Sequence, residues 1–240
     1  MRKIFIADAH LQRETDGNYR LLMEFLAGLR GNTSTLYILG DLFEFWIGYR
    51  AVPFTHYLPL LEELRRLAAA GVEIVYFEGN HDFHMGPFFT ETLGARVNRG
   101  PAIVDLGGKR AYLCHGDQIN TRDYGYRLLR MILHNPLAGV VVRMVPPPVV
   151  SAIARLMGRS SKRNHGRREL TWDYAAIVRE FAAARFREGC DVVITGHFHL
   201  PLLEKQENGT GGTLLSLGDW ITHFTYGEWL NDELTLKRYR

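Results

Sequence analysis

Five short apolar runs in this sequence each end in side chains that can bind cations. They are Asp8 and His10 in "IADAH", Asp41 in "ILGD", Asn80 in "FEGNHD", His115 in "LCHGD", and His197 with His199 in "ITGHFH". Carboxylate, amide and imidazole together, with no thiolate in the set, suit borderline divalent ions such as Mn²⁺, Fe²⁺, Co²⁺ or Zn²⁺ rather than a structural zinc. These seven ligands exceed what one open catalytic ion takes and match two ions sharing a bridging carboxylate. Two ions roughly 3.5–4 Å apart clamp a phosphate and activate the attacking water. A single strand-end Asp is also a turn or cap residue, and a lone HxH is also an ordinary loop. The ordered set D-x-H, GD, GNHD, H and GHxH carries the reading. His56, His84, His134, His165 and His223 lack such a setting and read as surface or supporting residues.

The runs themselves, "KIFIAD", "TLYILGD", "VEIVYFEGN", "RAYLCHGD" and "DVVITGH", are rich in β-branched and aromatic residues, as strands are. Helical patterns separate the first three. Leu21, Leu22, Phe25, Leu26 and Leu29 share one face with Gly31 as the stop, and "HYLPLLEELRRLAAAG" repeats the design with Gly71. Strand-helix-strand alternation predicts α/β architecture, in which ligands sit at the carboxyl ends of the strands. After Asp117 the rhythm changes. Residues 120–187 show no strand pattern, and prolines at 136 and 146–148 divide them into helices. "ELTWDYAAIVREFAAARFREG" closes the region as a long helix ending at Gly189. Strands resume in "DVVITGH", in the turn-linked "LLEKQENGTGGTLLSLG", and near "YGEWL" and "ELTLKRY". The expectation is one α/β domain over 1–240: a sandwich-like core flanked by helices, with a helical insertion at about 120–187 forming a cap.

The apolar fraction of 46% is that of a globular protein. The start, "MRKIFIADAH", has too short an apolar run for a signal peptide or a membrane span, and Arg143 and three prolines break the most apolar later stretch. Cys114 and Cys190 sit in apolar surroundings and read as small core residues of a reduced cytoplasmic protein. The net charge of +3 is unevenly placed. Residues 120–170 hold ten Lys or Arg against Asp123 and Glu169, a net +8, which leaves −5 on the rest of the chain. Such a window faces an anionic partner. Its cations are mixed with "YRLLRMIL", "LAGVVVRMV" and "VVSAIARLM". These runs read either as the core of the cap or as a groove or surface for acyl chains and a bilayer interface. Nucleic acid is the weaker match, because Tyr124, Tyr126, Trp172 and Tyr174 lie only at the edges of the window. No protein partner is expected.

The five ordered blocks resemble the signature of the calcineurin-like metallophosphoesterases, over essentially the whole chain. That resemblance implies a two-sheet sandwich and a dinuclear centre. Asp8, His10 and His199 would hold one ion, Asn80, His115 and His197 the other, and Asp41 would bridge. It places His81 near the phosphate and the leaving-group oxygen, to stabilise charge or donate a proton, with Asp82 as its orienting partner. More narrowly, "FIADAHL", "LYILGDLFEFWIG", "GNHDF", "TRDYGYR" and "GHFHLP" are similar to the UDP-2,3-diacylglucosamine hydrolases of lipid A synthesis. Those peripheral membrane enzymes cleave a pyrophosphate to UMP and a diacylglucosamine 1-phosphate. The likeness implies an anionic nucleotide-lipid substrate, two divalent ions with Mn²⁺ placed before Fe²⁺, Co²⁺ or Zn²⁺, and a peripheral position on the cytoplasmic face of the inner membrane. By position it marks Asp123, Tyr126, Ser161, Lys162, His165 and Arg168 as substrate-binding. Those enzymes typically carry Arg at the place of His81 and Asn at that of His165; an imidazole at 81 is the general superfamily feature. The alternatives are another phosphoesterase of the superfamily, acting on a soluble phosphodiester, nucleotide pyrophosphate or nucleic acid, and a non-catalytic scaffold. The full set of ligands argues against the scaffold.

Overall fold

The structure, a computed structural model, describes residues 1–49, 52, 54–146, 149, 172–205 and 211–240. In chain order β1 (Lys3–Ile6), α1 (Gly17–Ala27), β2 (Thr35–Leu39), the two-residue β3 (Trp46–Ile47), α2 (Leu58–Ala69) and β4 (Glu73–Phe77) come first. The two-residue β5 (Asp82–Phe83), β6 (Arg96–Asn98), β7 (Ala102–Leu106) and β8 (Lys109–Cys114) follow. Then come α3 (Tyr124–Leu133), α4 (Pro136–Met144) and α5 (Tyr174–Arg187). The chain closes with β9 (Val192–Thr195), β10 (Pro201–Lys205), β11 (Thr213–Leu217), β12 (Thr225–Leu230) and β13 (Glu233–Arg238).

Two sheets form the core. One runs β13-β12-β1-β2-β4-β6, the other β10-β11-β9-β8-β7. The alternation of side chains along each strand sets the layers. In β1, β2 and β4, Phe5, Tyr37 and Val75 lie in register across the sheet. They point between the sheets and meet Ala111, Leu113, Ile194 and Leu215 from the second sheet. Their neighbours Ile4, Leu36 and Ile74 point the other way, onto Leu22, Leu26, Leu60 and Leu64 of α1 and α2. On the far side of the second sheet, Val193 and Leu214 pack against Val178, Ala182 and Phe186 of α5. The order of layers is therefore helix, sheet, sheet, helix. It places the carboxyl ends of β1, β2, β4, β8 and β9 together.

The helix ends show how local chemistry decides. Asp173 caps α5 by accepting from Ala176 N at 2.9 Å. Gly71, with φ +87°, follows α2 as expected. Gly31 does not stop α1: the helix ends at Ala27, and Gly31, at φ +77°, lies in the turn beyond. The hairpin of β7 and β8 turns through Gly107 and Gly108, and its first strand had no counterpart in the sequence reading. The parallel pairing of β3 with β5, which ties "FWI" to "DF", was likewise unforeseen.

Between β8 and β9 the described residues contain only helices, and Pro136 and Pro146 fall at helix boundaries as expected. No residue of α3 is buried. Leu128, Met131 and Ile132 on α3, with Leu137, Val140, Val141 and Met144 on α4, are exposed, Leu137 by 75% and Met144 by 81%. These apolar side chains lie at the surface of the described residues, while "VVSAIARLM" beyond Val149 and the rest of the insertion to residue 171 lie outside them. Among the described residues no helix is long and apolar enough to cross a membrane. Cys114 and Cys190 are free and buried.

Candidate metal centre

Backbone hydrogen bonds stitch the strand ends to one another. Asp8 N donates to Gly40 O at 3.1 Å, His10 N to Asp41 O at 3.0 Å, and Gly196 N to His115 O at 2.8 Å. Asp8, His10, Asp41, His197 and His199 all have positive φ, between 44° and 70°. Side chains other than glycine rarely take that region, and where several do so together the surrounding structure over-determines them. Gly79 is a glycine for a different reason: a Cβ there would run into the Asp41 carboxylate.

The seven side chains converge on two groups. Asp8, His10 and His199 each bring one ligand atom within 4.8 Å of the others, and so do Asp41, His115 and His197. His10 Nε2 is 3.9 Å from Asp8 Oδ1 and 3.6 Å from Asp41 Oδ2, and His199 Nε2 is 3.8 Å from Asp8 Oδ1. His115 Nε2 lies 3.5 Å from Asp41 Oδ2 and 3.1 Å from Asn80 Oδ1. Asp41 thus stands between both sets. Burial pushes the Asp8 carboxyl up to about 6, holds His10 well below the usual imidazole range and lowers His197 to about 3. At His115 burial acts in the same lowering sense, but the adjacent Asp41 carboxylate prevails and holds the imidazole well above its usual range.

His81 stands beside this cluster, its ring 4.7 Å from that of His10 and edge-on to it. Its N–H donates to Asp41 Oδ1 at 2.8 Å, and its Nδ1 meets Glu44 O at 2.8 Å. A carbonyl only accepts, so Nδ1 carries the proton and Nε2 is the exchangeable position. Asp82 does not orient His81. It is fully buried behind the site, with Oδ1 accepting from Asp41 N and Gly79 N at 3.0 Å each, and Oδ2 from Leu42 N at 2.7 Å and Tyr76 OH at 2.6 Å. Burial and the Asp41 carboxylate push its carboxyl upward against these donors. The expected partnership fails because β5 turns the side chain of Asp82 toward the backbone of the Asp41 loop. Asp82 is a clamp between the "GD" and "GNHD" blocks.

Of the residues marked for substrate binding, Asp123 is the N-cap of α3, accepting from Tyr126 N at 3.0 Å. Tyr126 OH donates to Asp117 Oδ2 at 2.6 Å, and its ring lies 5.9 Å from that of His197. Arg130 pairs with the same Asp117. It is therefore a tie between α3 and the "HGD" block rather than a free cation of the basic window. Ser161, Lys162, His165 and Arg168 lie outside the described residues.

Residues 1–201 match the calcineurin-like phosphoesterase family. The chain belongs to that family. This chain is 34% identical over 219 residues to the UDP-2,3-diacylglucosamine hydrolase of Pseudomonas putida strain KT2440, 90% of each chain being covered. It is 33% identical to that of Pseudomonas fluorescens strain Pf0-1, over 90% of this chain and 87% of the relative. Among solved structures, a novel archaeal phosphodiesterase shares the fold, with a TM-score of 0.51 at 14% identity over 99% of both chains. The protein is thus a metal-dependent phosphoester hydrolase.

The donor set fits the divalent metals on which the family relies. Asp8 Oδ1 is buried and accepts no hydrogen bond, while two imidazole nitrogens face it. His115 Nδ1 is committed to Leu39 O at 2.7 Å, so Nε2 is the ring atom turned toward the oxygens of Asp41 and Asn80, and it is a ligand once it gives up its proton. Acceptor atoms turned toward a common point are what a cation satisfies.

Two further carboxylates stand behind the imidazoles of His10 and His199. Glu44 places Oε2 3.7 Å from His10 Nδ1. Asp219 places Oδ2 3.4 Å from His199 Nδ1. The signal for the second was present: "LLSLGD" repeats the apolar-run-then-"GD" pattern of "LYILGD".

Proposed function

We propose that this chain hydrolyses the pyrophosphate of UDP-2,3-diacylglucosamine, or a close nucleotide-sugar lipid, to UMP and the lipid 1-phosphate. Asp8, His10 and His199 would hold one divalent ion and Asn80, His115 and His197 a second, with Asp41 shared between the two groups; Mn²⁺ is the first choice of metal. The observation that carries the substrate class is the exposed apolar surface of α3 and α4 next to the cluster, together with the relatives named above. Tyr126 and Arg130 fasten α3 to Asp117, two residues after His115, so the apolar surface begins where the phosphate chemistry ends. Arg122 and Arg127 are exposed on the same segment and favour anionic headgroups. This supports a peripheral position on the cytoplasmic face of the inner membrane, with acyl chains or bilayer against α3 and α4.

Bound ions supply the clamping of the phosphate and the activation of water. The chain's own residues do the rest. Asp41 separates and joins the two ligand groups, and its Oδ1 is held in place by His81 N–H. His81, its Nδ1–H fixed on Glu44 O, presents Nε2; when protonated, that nitrogen donates to the departing phosphate oxygen. The fixed tautomer and the neutral, buried His10 and His197 leave their lone pairs directed at cations rather than at solvent.

A second reading, a phosphodiesterase acting on soluble nucleotides, is favoured by the imidazole at position 81. A panel with added Mn²⁺ separates the two. The account expects UMP release from the nucleotide-linked lipid, with dependence on detergent or lipid. Fast turnover of soluble phosphodiesters with no UMP release from the lipid would replace it with the second reading.

A further inference from the structure

We propose that Asp219 is a positioning residue that fixes His199 for metal binding, and that the two metal positions are built unequally as a result. This rests on the reading of His199 as a ligand. Asp219 is buried, in the loop that follows β11. Its Oδ1 accepts from Ile221 N at 2.8 Å, Thr222 N at 2.6 Å and His223 N at 3.1 Å. Its Oδ2 lies 3.4 Å from His199 Nδ1 and 2.7 Å from His223 Nδ1. The next residue completes the attachment, since Trp220 N donates to Asp8 O at 3.1 Å. Oδ1 therefore organises the loop, and Oδ2, which also takes the Thr222 hydroxyl at 3.1 Å, faces the ligand. A carboxylate oxygen against Nδ1 keeps the proton there, and Nε2 presents its lone pair toward Asp8 Oδ1, 3.8 Å away.

The same arrangement recurs at His10, where Glu44 Oε2 stands 3.7 Å behind Nδ1 while Nε2 faces Asp8 and Asp41. Both imidazoles of the Asp8 group are thus backed by carboxylates. The other group differs: His115 Nδ1 is backed by the neutral carbonyl of Leu39. Negative charge behind an imidazole raises its strength as a ligand. The ion beside Asp8 is the one that depends on Asp219.

The test is Asp219→Asn. An amide keeps an acceptor for the three backbone N–H groups of the loop and sets an NH₂ donor against His199 Nδ1, which favours the wrong tautomer. Titration of the apo protein with Mn²⁺ by calorimetry, with electron paramagnetic resonance to detect the coupled pair, is expected to give two sites in the parent. In the variant one site is expected to weaken by roughly 10–100-fold, the other to stay intact, and the coupled signal to be lost. His223→Ala, which removes one further partner of Oδ2 and leaves the Thr222 hydroxyl on it, is expected to leave both sites unchanged. Adding Asp219→Asn to a His199→Ala background is expected to cause no further loss, because the effect passes through His199. Two undiminished sites in Asp219→Asn, or further weakening in the double variant, would overturn the proposal. A parent protein that binds no pair of ions would instead remove the ligand reading, and this inference with it.

Discussion

Replacing Asp82 by Asn tests whether this residue clamps two blocks of the site together. Its oxygens take hydrogen bonds from Asp41 N and Gly79 N on one side and from Leu42 N and Tyr76 OH on the other. Every neighbour is a donor, so the NH₂ of Asn meets an N–H whichever way it is turned. Gly79 N has a second acceptor in Asp82 O at 3.0 Å, and the Tyr76 hydroxyl can rotate to accept. One orientation therefore leaves the Asp41 N–H buried and unsatisfied, and the other the Leu42 N–H together with the longer contact from Phe43 N at 3.4 Å. Such a group costs about 1–3 kcal/mol. Taking about 2 kcal/mol, the melting temperature of a chain this size falls by roughly 4–8 °C. The assay is urea and thermal unfolding of the metal-free protein, so that loss of ions does not enter. Tyr76→Phe alone is expected to cost about 1 kcal/mol, and less in the Asp82→Asn background because the two groups share one bond. An Asp82→Asn protein as stable as the parent, with the two changes strictly additive, would refute the clamp.

Three further outcomes follow from the geometry. Tyr126→Phe loses the hydrogen bond to Asp117 and loosens α3 without touching a metal ligand, so steady-state kinetics should show KM raised roughly fivefold, about 1 kcal/mol, with kcat little changed. Glu228 is buried, which opposes its ionisation, but hydrogen bonds from Lys237 and Arg2 hold its carboxyl below the usual range. A depressed carboxyl stabilises above its unfolded pKa of about 4.3 and loses that contribution as pH falls through the folded value. Glu228→Gln should therefore cost about 1 kcal/mol in urea unfolding at pH 7, with the difference shrinking below about pH 4. Asp41→Ala removes the group shared by both clusters, and Mn²⁺ titration should show both sites weakened beyond the roughly 10–100-fold that loss of an outer partner causes.

The catalytic end of the fold was legible because its signal is local. A strand reads as an apolar run, and the residue that leaves it reads as the next polar side chain; Asp8, Asp41, Asn80, His115 and His197 were all found this way. What lay beyond depended on which group faces which across the sheet. Asp82 sits next to His81 in sequence, yet its hydrogen bonds reach back some 40 residues to Asp41 and Leu42. Arg130 counted toward a basic surface until Asp117, 13 residues earlier, took it. The positive φ of five of the seven candidate ligands has no sequence signature outside glycine. Asp219 was readable in "SLGD" but not recognisable as part of the site, because nothing local says that a sixth strand end returns to His199. The apolar residues of α3 and α4 were equally fit for a core or a surface. Among the described residues they are exposed.

The proposed two-ion centre gathers strand ends from both sheets around Asp41. Anomalous diffraction at the manganese edge, on crystals grown with Mn²⁺, tests it most directly. The account predicts two peaks, one among Asp8, His10 and His199 and one among Asn80, His115 and His197, with the Asp41 carboxylate between them. A single peak, or peaks away from these seven side chains, would contradict it.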